Sequence, residues 1–122
     1  MNEKKKTLVL GASENPSRYS YLAVQRLQSY QHPVVAIGKK KGILGNVAIE
    51  TEKKEWKGVD TVTLYLNPMR QKEYYDYIIS LKPRRIIFNP GAENNELAEL
   101  ASGNGIQPVE ACTLVMLATN QY

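Results

Sequence analysis

The chain has 122 residues, 43% of them hydrophobic and 23% charged, and carries a formal net charge of +4. That length suits one domain with a real core and leaves no room for a second substrate domain of ordinary size. No apolar run approaches the roughly 20 residues of a membrane-spanning helix, a single cysteine excludes an internal disulfide, and one cysteine with one histidine cannot build the usual structural zinc site.

The start, MNEKKK, leads straight into a strand-like run with no apolar signal-peptide core, so the expected location is cytoplasmic. The lysines at 4–6 read as a solvated terminal charge run. Residues 7–11 (TLVLG) form the first predicted strand, and the loop GASENPSRYS follows it. A dinucleotide fingerprint needs three glycines in GxGxxG, for a tight turn, close backbone approach to pyrophosphate and tight helix packing. Here Gly11 stands without the other two, followed by Ala12 and Ser13. Backbone N–H groups at Gly11 and Ser13, the Ser13 hydroxyl, the Arg18 fork and the positive end of the next helix suit a phosphate. The same stretch reads equally well as a turn whose serines cap that helix.

The helix is predicted to start between Ser17 and Ser20 and to bury Leu22, Ala23, Leu27 and Tyr30 before His32 and Pro33 stop it. Residues 34–38 (VVAIG) form the second strand. Where an NAD site places a carboxylate for the ribose hydroxyls, this chain has Lys39, Lys40 and Lys41. Lysines there attract a ribose phosphate, so a nucleotide with an extra phosphate on its adenosine ribose is expected, and NADP and coenzyme A both qualify. A solvated lysine loop is the competing reading.

Residues 59–66 form a third strand, and a helix near 70–81 is predicted from Tyr74, Tyr77, Ile78 and Leu81, ended by Pro83. Its tyrosines read as core in preference to a stacking platform. Residues 84–89 form a fourth strand, Asn94 an N-cap, Leu97, Leu100 and Ala101 a buried stripe, and Gly103 a helix-ending glycine. Residues 106–111 form a fifth strand, before a last helix from about Cys112 to Ala118.

Short, Val- and Ile-rich segments alternating with helices specify an α/β domain. The expected fold is a Rossmann-like, doubly wound parallel sheet of about five strands, a single domain over 1–122. Ligands of such sheets collect at the carboxyl ends of the strands. That edge holds the loops near 11–18, 38–45, 66–70, 89–94 and 110–113.

In order and position these segments resemble the small stand-alone CoA-binding proteins, which are similar to the N-terminal domain of the succinyl-CoA synthetase α subunit. The resemblance is carried by the strand with GASENP and its helix (8–30), GKKKGILG (38–45), VDTVTLYLNP (59–68) and IIFNPGAENNELAELASGNGIQPVEACTLVM (86–116). It implies that Gly11, Ala12 and Ser13 hold phosphates, and that Lys39 and Lys41 approach the ribose phosphate. It further implies that Leu66, Asn67 and Pro68 border the adenine, and that Asn89, Pro90, Gly91 and Ala92 border the pantetheine arm. The chain departs from the family pattern in two places, with Gly38-Lys39 where an Asn-Pro pair is common and VEA before the cysteine where Asp-Arg is common.

Cys112, also on the ligand edge, reads first as a small buried hydrophobe and second as a thiol able to form a mixed disulfide with CoA. His32 lies on the opposite edge and is expected to be a surface or turn histidine, without a catalytic role. Glu93 and Glu110 reach the ligand edge without a partner acid, nucleophile or metal, so capping and surface roles are expected. The expected function is non-catalytic binding of coenzyme A or an acyl-CoA, with a homo-oligomer or a partner enzyme left open. The alternatives are an NADP-binding redox module or enzyme subunit, and a basic interaction domain without a nucleotide. Neither zinc-finger spacing nor an RNA-reading motif supports nucleic acid.

Overall fold

In a computed structural model, which describes residues 3–122, the apolar segments assemble into one mixed sheet with helices on both faces. The order along the chain is β1 (Thr7–Ala12), α1 (Tyr19–Ser29), β2 (Val34–Gly38), β3 (Gly42–Leu44), β4 (Val47–Glu50), β5 (Thr61–Leu64), α2 (Pro68–Gln71), α3 (Tyr75–Leu81), β6 (Arg85–Phe88), α4 (Asn95–Gly103), β7 (Gln107–Glu110) and α5 (Thr113–Ala118). The strands lie in the order β3-β4-β2-β1-β5-β6-β7, all neighbours parallel except the antiparallel pair β3 and β4. Among the described residues no helix is long and apolar enough to cross a membrane.

Seven strands replace the expected five because residues 42–50 form a hairpin on the sheet edge. Its strands have three and four residues and connect through Gly45 and Asn46, with Gly45 at φ +58°. So short a pair, in a stretch rich in Gly and Lys, resembles a loop, although a two-residue Gly-Asn link between apolar residues is a hairpin signal.

One sheet face carries α1 and α5, where Val24, Leu27 and Leu117 pack on Val9, Ala36 and Ile49. The other face carries α3 and α4, with Ile78, Leu97 and Ala101 over Leu8, Leu10, Val62, Leu64, Ile86 and Phe88. Central strands with inward residues on both faces explain their nearly unbroken apolar runs. Pro108 lies on the edge strand β7, where a missing N–H costs no ladder bond.

The helix boundaries differ from expectation in detail. The α1 stripe consists of Ser20, Ala23, Val24 and Leu27, with Leu22 only half-buried and Tyr30 exposed. Leu100 is likewise exposed on α4, and Gly103 is the last helical residue, while Gly105 takes the left-handed conformation. The helix expected over 70–81 is interrupted, because a 3₁₀ turn at Lys72–Tyr74 separates α2 from α3. Tyr77 packs in the core, donates to the Lys54 carbonyl and has its phenol pKa pushed up to about 12, by burial first and then by Tyr74. Cys112 is the N-cap of α5 and is half-buried.

His32 lies in the turn between α1 and β2, as one of its two expected placements has it, but it is buried, at 7% exposed. Its Nδ1 accepts the Lys5 backbone N–H at 2.9 Å, and its ring lies 4.8 Å from that of Tyr122. Burial, followed by Lys4, Lys5 and Arg85, lowers its pKa, against a weaker opposing pull from Asp60. A folded-state value below the unfolded one means that the unfolded chain binds the proton more readily. The contribution is therefore complete above the ordinary value of about 6.5 and is lost as pH falls through the lowered folded value. Denaturant melts from pH 8 to pH 5 should show this loss in the wild type and a flatter profile in His32→Asn, whose Oδ1 takes the place of Nδ1 and can still accept the Lys5 bond.

Candidate functional site

The chain runs from β1 outward through β2 to the hairpin, then returns to the other side of β1 as β5, so the crossover direction reverses between β1 and β5. In doubly wound sheets such a reversal opens a crevice at the carboxyl ends of the strands. A cleft of about 820 Å³ lies at these ends, within the usual range for small-molecule sites.

Its floor is the turn after β1. Gly11 has φ +101°, and a Cβ there would lie 3.0 Å from the Tyr65 carbonyl group, so both conformation and the neighbouring β5 exit demand glycine. Gly38 is equally constrained, since a Cβ would meet the Ala12 carbonyl oxygen at 2.2 Å. These two glycines let β1 leave the sheet close beneath the exits of β2 and β5. The turn is stitched internally: Ser13 Oγ accepts from Asn15 N–H at 3.0 Å, and Asn15 Oδ1 accepts from Ser17 N–H at 3.0 Å and from its hydroxyl at 2.8 Å. None of these side chains caps α1, whose first turn also lacks an acidic residue. The helix start is therefore left open beside the cleft, an arrangement favourable to an anion.

The walls come from four directions. Arg18, Tyr19 and Ser20 supply one, Lys39 and Lys40 a second, Tyr65, Leu66, Asn67, Arg70 and Tyr74 a third, and Pro90, Gly91 and Ala92 the fourth. Among the described residues the ion pairs are Lys54 with Glu50 and Arg84 with Asp60, so none of Arg18, Lys39, Lys40 and Arg70 is neutralised by a carboxylate. Four cations thus face a cleft with one open helix start.

Buried amides hold the rims apart. Gln71, 0% exposed, donates from Nε2 to the carbonyls of Leu66 and Ala92, both at 2.8 Å, and so ties the β5 exit to the β6 exit. Its Oε1 accepts from Asn94 Nδ2 at 2.9 Å, and Asn94 Oδ1 caps α4 at Leu97 N–H. Glu93 Oε1 accepts from Gly91 N–H at 2.9 Å, which fixes the rim turn. Glu110 is exposed at the end of β7.

Of the residues singled out from the sequence, Gly11, Ala12, Ser13, Arg18, Lys39, Leu66, Asn67, Pro90, Gly91 and Ala92 line this cleft. Four do not. Lys41 is exposed just before β3, where the chain turns away into the hairpin, and Lys40 lines the cleft in its place. Pro68 is the exposed first residue of α2. Asn89 is 2% exposed, with all its polar atoms engaged inside the protein. Cys112 occupies the N-cap position of α5 without a side-chain capping bond and lies outside the cleft lining.

Arg70 and Tyr65 are two of the wall residues that the sequence did not single out. The Asn67-Pro68 pair, an N-cap followed by a proline at the first helical position, marks a helix start on the ligand edge and places Arg70 in its first turn. Tyr65 has a buried hydroxyl without a well-formed hydrogen bond, beside Thr63 and Thr113, which bond to each other at 2.8 Å. Burial first, and then Cys112, hold its phenol far above the ordinary pKa. Among the described residues no cluster of His, Cys, Asp or Glu could hold a metal ion.

A family model described as CoA binding domain matches residues 5–118. The crystal structure of an uncharacterized protein is 53% identical, covers 99% of this chain and 100% of its own, and superposes with a TM-score of 0.97. A cell-free protein from Thermus thermophilus shares the fold at 18% identity and a TM-score of 0.84, covering 98% of this chain and 91% of its own. A hypothetical protein from Pyrococcus horikoshii does so at 19% and 0.87, covering 95% and 83%. No curated protein matches the chain.

Proposed function

The chain belongs to the CoA-binding domain family, and from that premise we propose that its cleft takes coenzyme A or an acyl-CoA and holds it without turning it over. The observation that carries the reading is the set of un-neutralised cations, Arg18, Lys39, Lys40 and Arg70, around an uncapped α1 start. Coenzyme A carries anions at two separated places, a diphosphate and a 3′-phosphate on its ribose. The turn at Gly11, Ala12 and Ser13, with Arg18, suits the diphosphate through backbone N–H groups and the helix dipole. Lys39 and Lys40, at the β2 exit where a carboxylate would select an unphosphorylated ribose, suit the 3′-phosphate. The rim from Pro90 to Ala92 offers the pantetheine arm a smooth backbone surface, with Gly91 bare of a side chain.

NADP carries a ribose phosphate at a different position and would meet the same lysines, so selectivity is the test. Thermal shifts with coenzyme A, dephospho-CoA, NADP and NAD should rank coenzyme A first, with a much smaller shift for dephospho-CoA. A larger shift with NADP would replace this reading with a redox module. Silence from all four would leave a basic interaction domain.

A further inference from the structure

The cleft contains one carboxylate among its cations, Glu14, and its position is unusual. Glu14 belongs to the phosphate turn, yet its Oε2 accepts the backbone N–H of Ile43, 29 residues away, at 2.8 Å. The side chain lies flat against Gly42, where a Cβ would meet Glu14 Cδ at 2.3 Å, Oε1 at 2.6 Å and Cγ at 2.7 Å. No lysine or arginine lies within ion-pair distance of it, although residues 39–41 are all lysine. The carboxylate therefore bonds the first residues of the edge strand β3 and leaves the lysines before it free.

We propose that Glu14 is a positioning residue: it latches the phosphate turn to Gly42 and Ile43 and so holds Lys39 and Lys40 over the cleft, where they select the ribose phosphate. This rests on the coenzyme A reading above. The basic loop is anchored on one side by β2, whose last residue, Gly38, pairs with Ala12, and on the other by the hairpin. The hairpin is the sheet edge and has no further strand beyond it. Without the latch, the β3 end of the loop would keep its pairing with β4 and the packing of Leu44 against α1, neither of which fixes the residues before Gly42. The geometry also explains Gly42, since the three atoms nearest to an added Cβ all belong to Glu14, and its φ requires no glycine.

Three variants separate a latch from a charge effect. Glu14→Ala removes the acceptor, Glu14→Gln keeps an acceptor without the charge, and Gly42→Ala displaces the side chain while keeping the charge. The readouts are exchange of the Ile43 amide by NMR, without ligand, and the ratio of coenzyme A to dephospho-CoA affinity by calorimetry. For Glu14→Ala and Gly42→Ala, Ile43 should exchange faster and the affinity ratio should fall by about tenfold, the equivalent of one charge-assisted contact. Glu14→Gln should retain both protection and ratio.

If Glu14→Ala and Glu14→Gln behave alike, or if the ratio survives in Glu14→Ala and Gly42→Ala, the latch is wrong while coenzyme A binding stands. Fast Ile43 exchange in the wild type also overturns it. Binding of neither nucleotide by a wild type with a protected Ile43 amide overturns the ligand reading and the selectivity role with it, leaving Glu14 as a brace of the hairpin.

Discussion

Replacing Asn89 with alanine should lower the unfolding free energy by about 3–5 kcal/mol, because it strands several buried polar groups at once. Asn89 Nδ2 donates to Thr63 Oγ1 at 2.7 Å and to the Leu64 carbonyl at 2.8 Å, and Oδ1 accepts the Thr113 N–H at 2.9 Å. One side chain thus joins the ends of β5 and β6 to the start of α5. After truncation the Thr113 N–H and the Leu64 carbonyl lose a partner in a site closed to water. Asn89→Asp conserves the shape, but puts a carboxylate against a carbonyl and cannot donate. It should be worse than alanine at neutral pH and should recover in part on acidification, when a protonated acid can donate once. Urea melts at pH 7 and pH 5 check both. A near-normal melt with lost nucleotide affinity would instead mean that Asn89 faces the ligand.

Charge reversal at Lys39 and Lys40 together should weaken coenzyme A binding by at least about a hundredfold and dephospho-CoA binding far less. Each lysine that contacts a phosphate contributes roughly 1.5–3 kcal/mol, and a tenfold change in affinity corresponds to about 1.4 kcal/mol. Both side chains are exposed and un-neutralised, so the fold should tolerate the change and the melting temperature without ligand should hardly move. Calorimetry at fixed ionic strength is the measurement, since added salt would screen the same contacts. An equal loss for both nucleotides would assign the lysines to the diphosphate or to general attraction.

Much of the site was legible because its demands are local. A glycine after a buried strand, a helix start after it, and lysines where a carboxylate would serve a free ribose are each read within a few residues. Gly11, Ser13, Arg18 and Lys39 were accessible in this way. Asn89 was misplaced because position on the ligand edge does not determine side-chain direction, and its partners lie 24 to 26 residues away along the chain. Lys40 and Lys41 could not be told apart without the hairpin, which turns the chain away at Gly42. The place of His32 in the turn between a helix and a strand is local and legible, but its burial is not, because the Lys5 backbone and Tyr122 enclose it from opposite ends of the chain.

By itself, then, the sequence determined the α/β alternation, the order of the main elements, the sheet edge on which the cleft opens and the sign of the charge there. These follow from periodicity, from glycine and proline placement, and from the rule that parallel strands need crossovers. Tertiary structure alone decided the hairpin at the sheet edge, the inward turn of Asn89, the Gln71 tie between two rims and the reach of Glu14 to Ile43. The hairpin's place depends on β4 pairing with β2, and the other three depend on groups distant in sequence meeting at hydrogen-bond range. A buried amide or a backbone N–H recruits whichever partner the packed sheet brings to it, and local spacing carries no record of that partner.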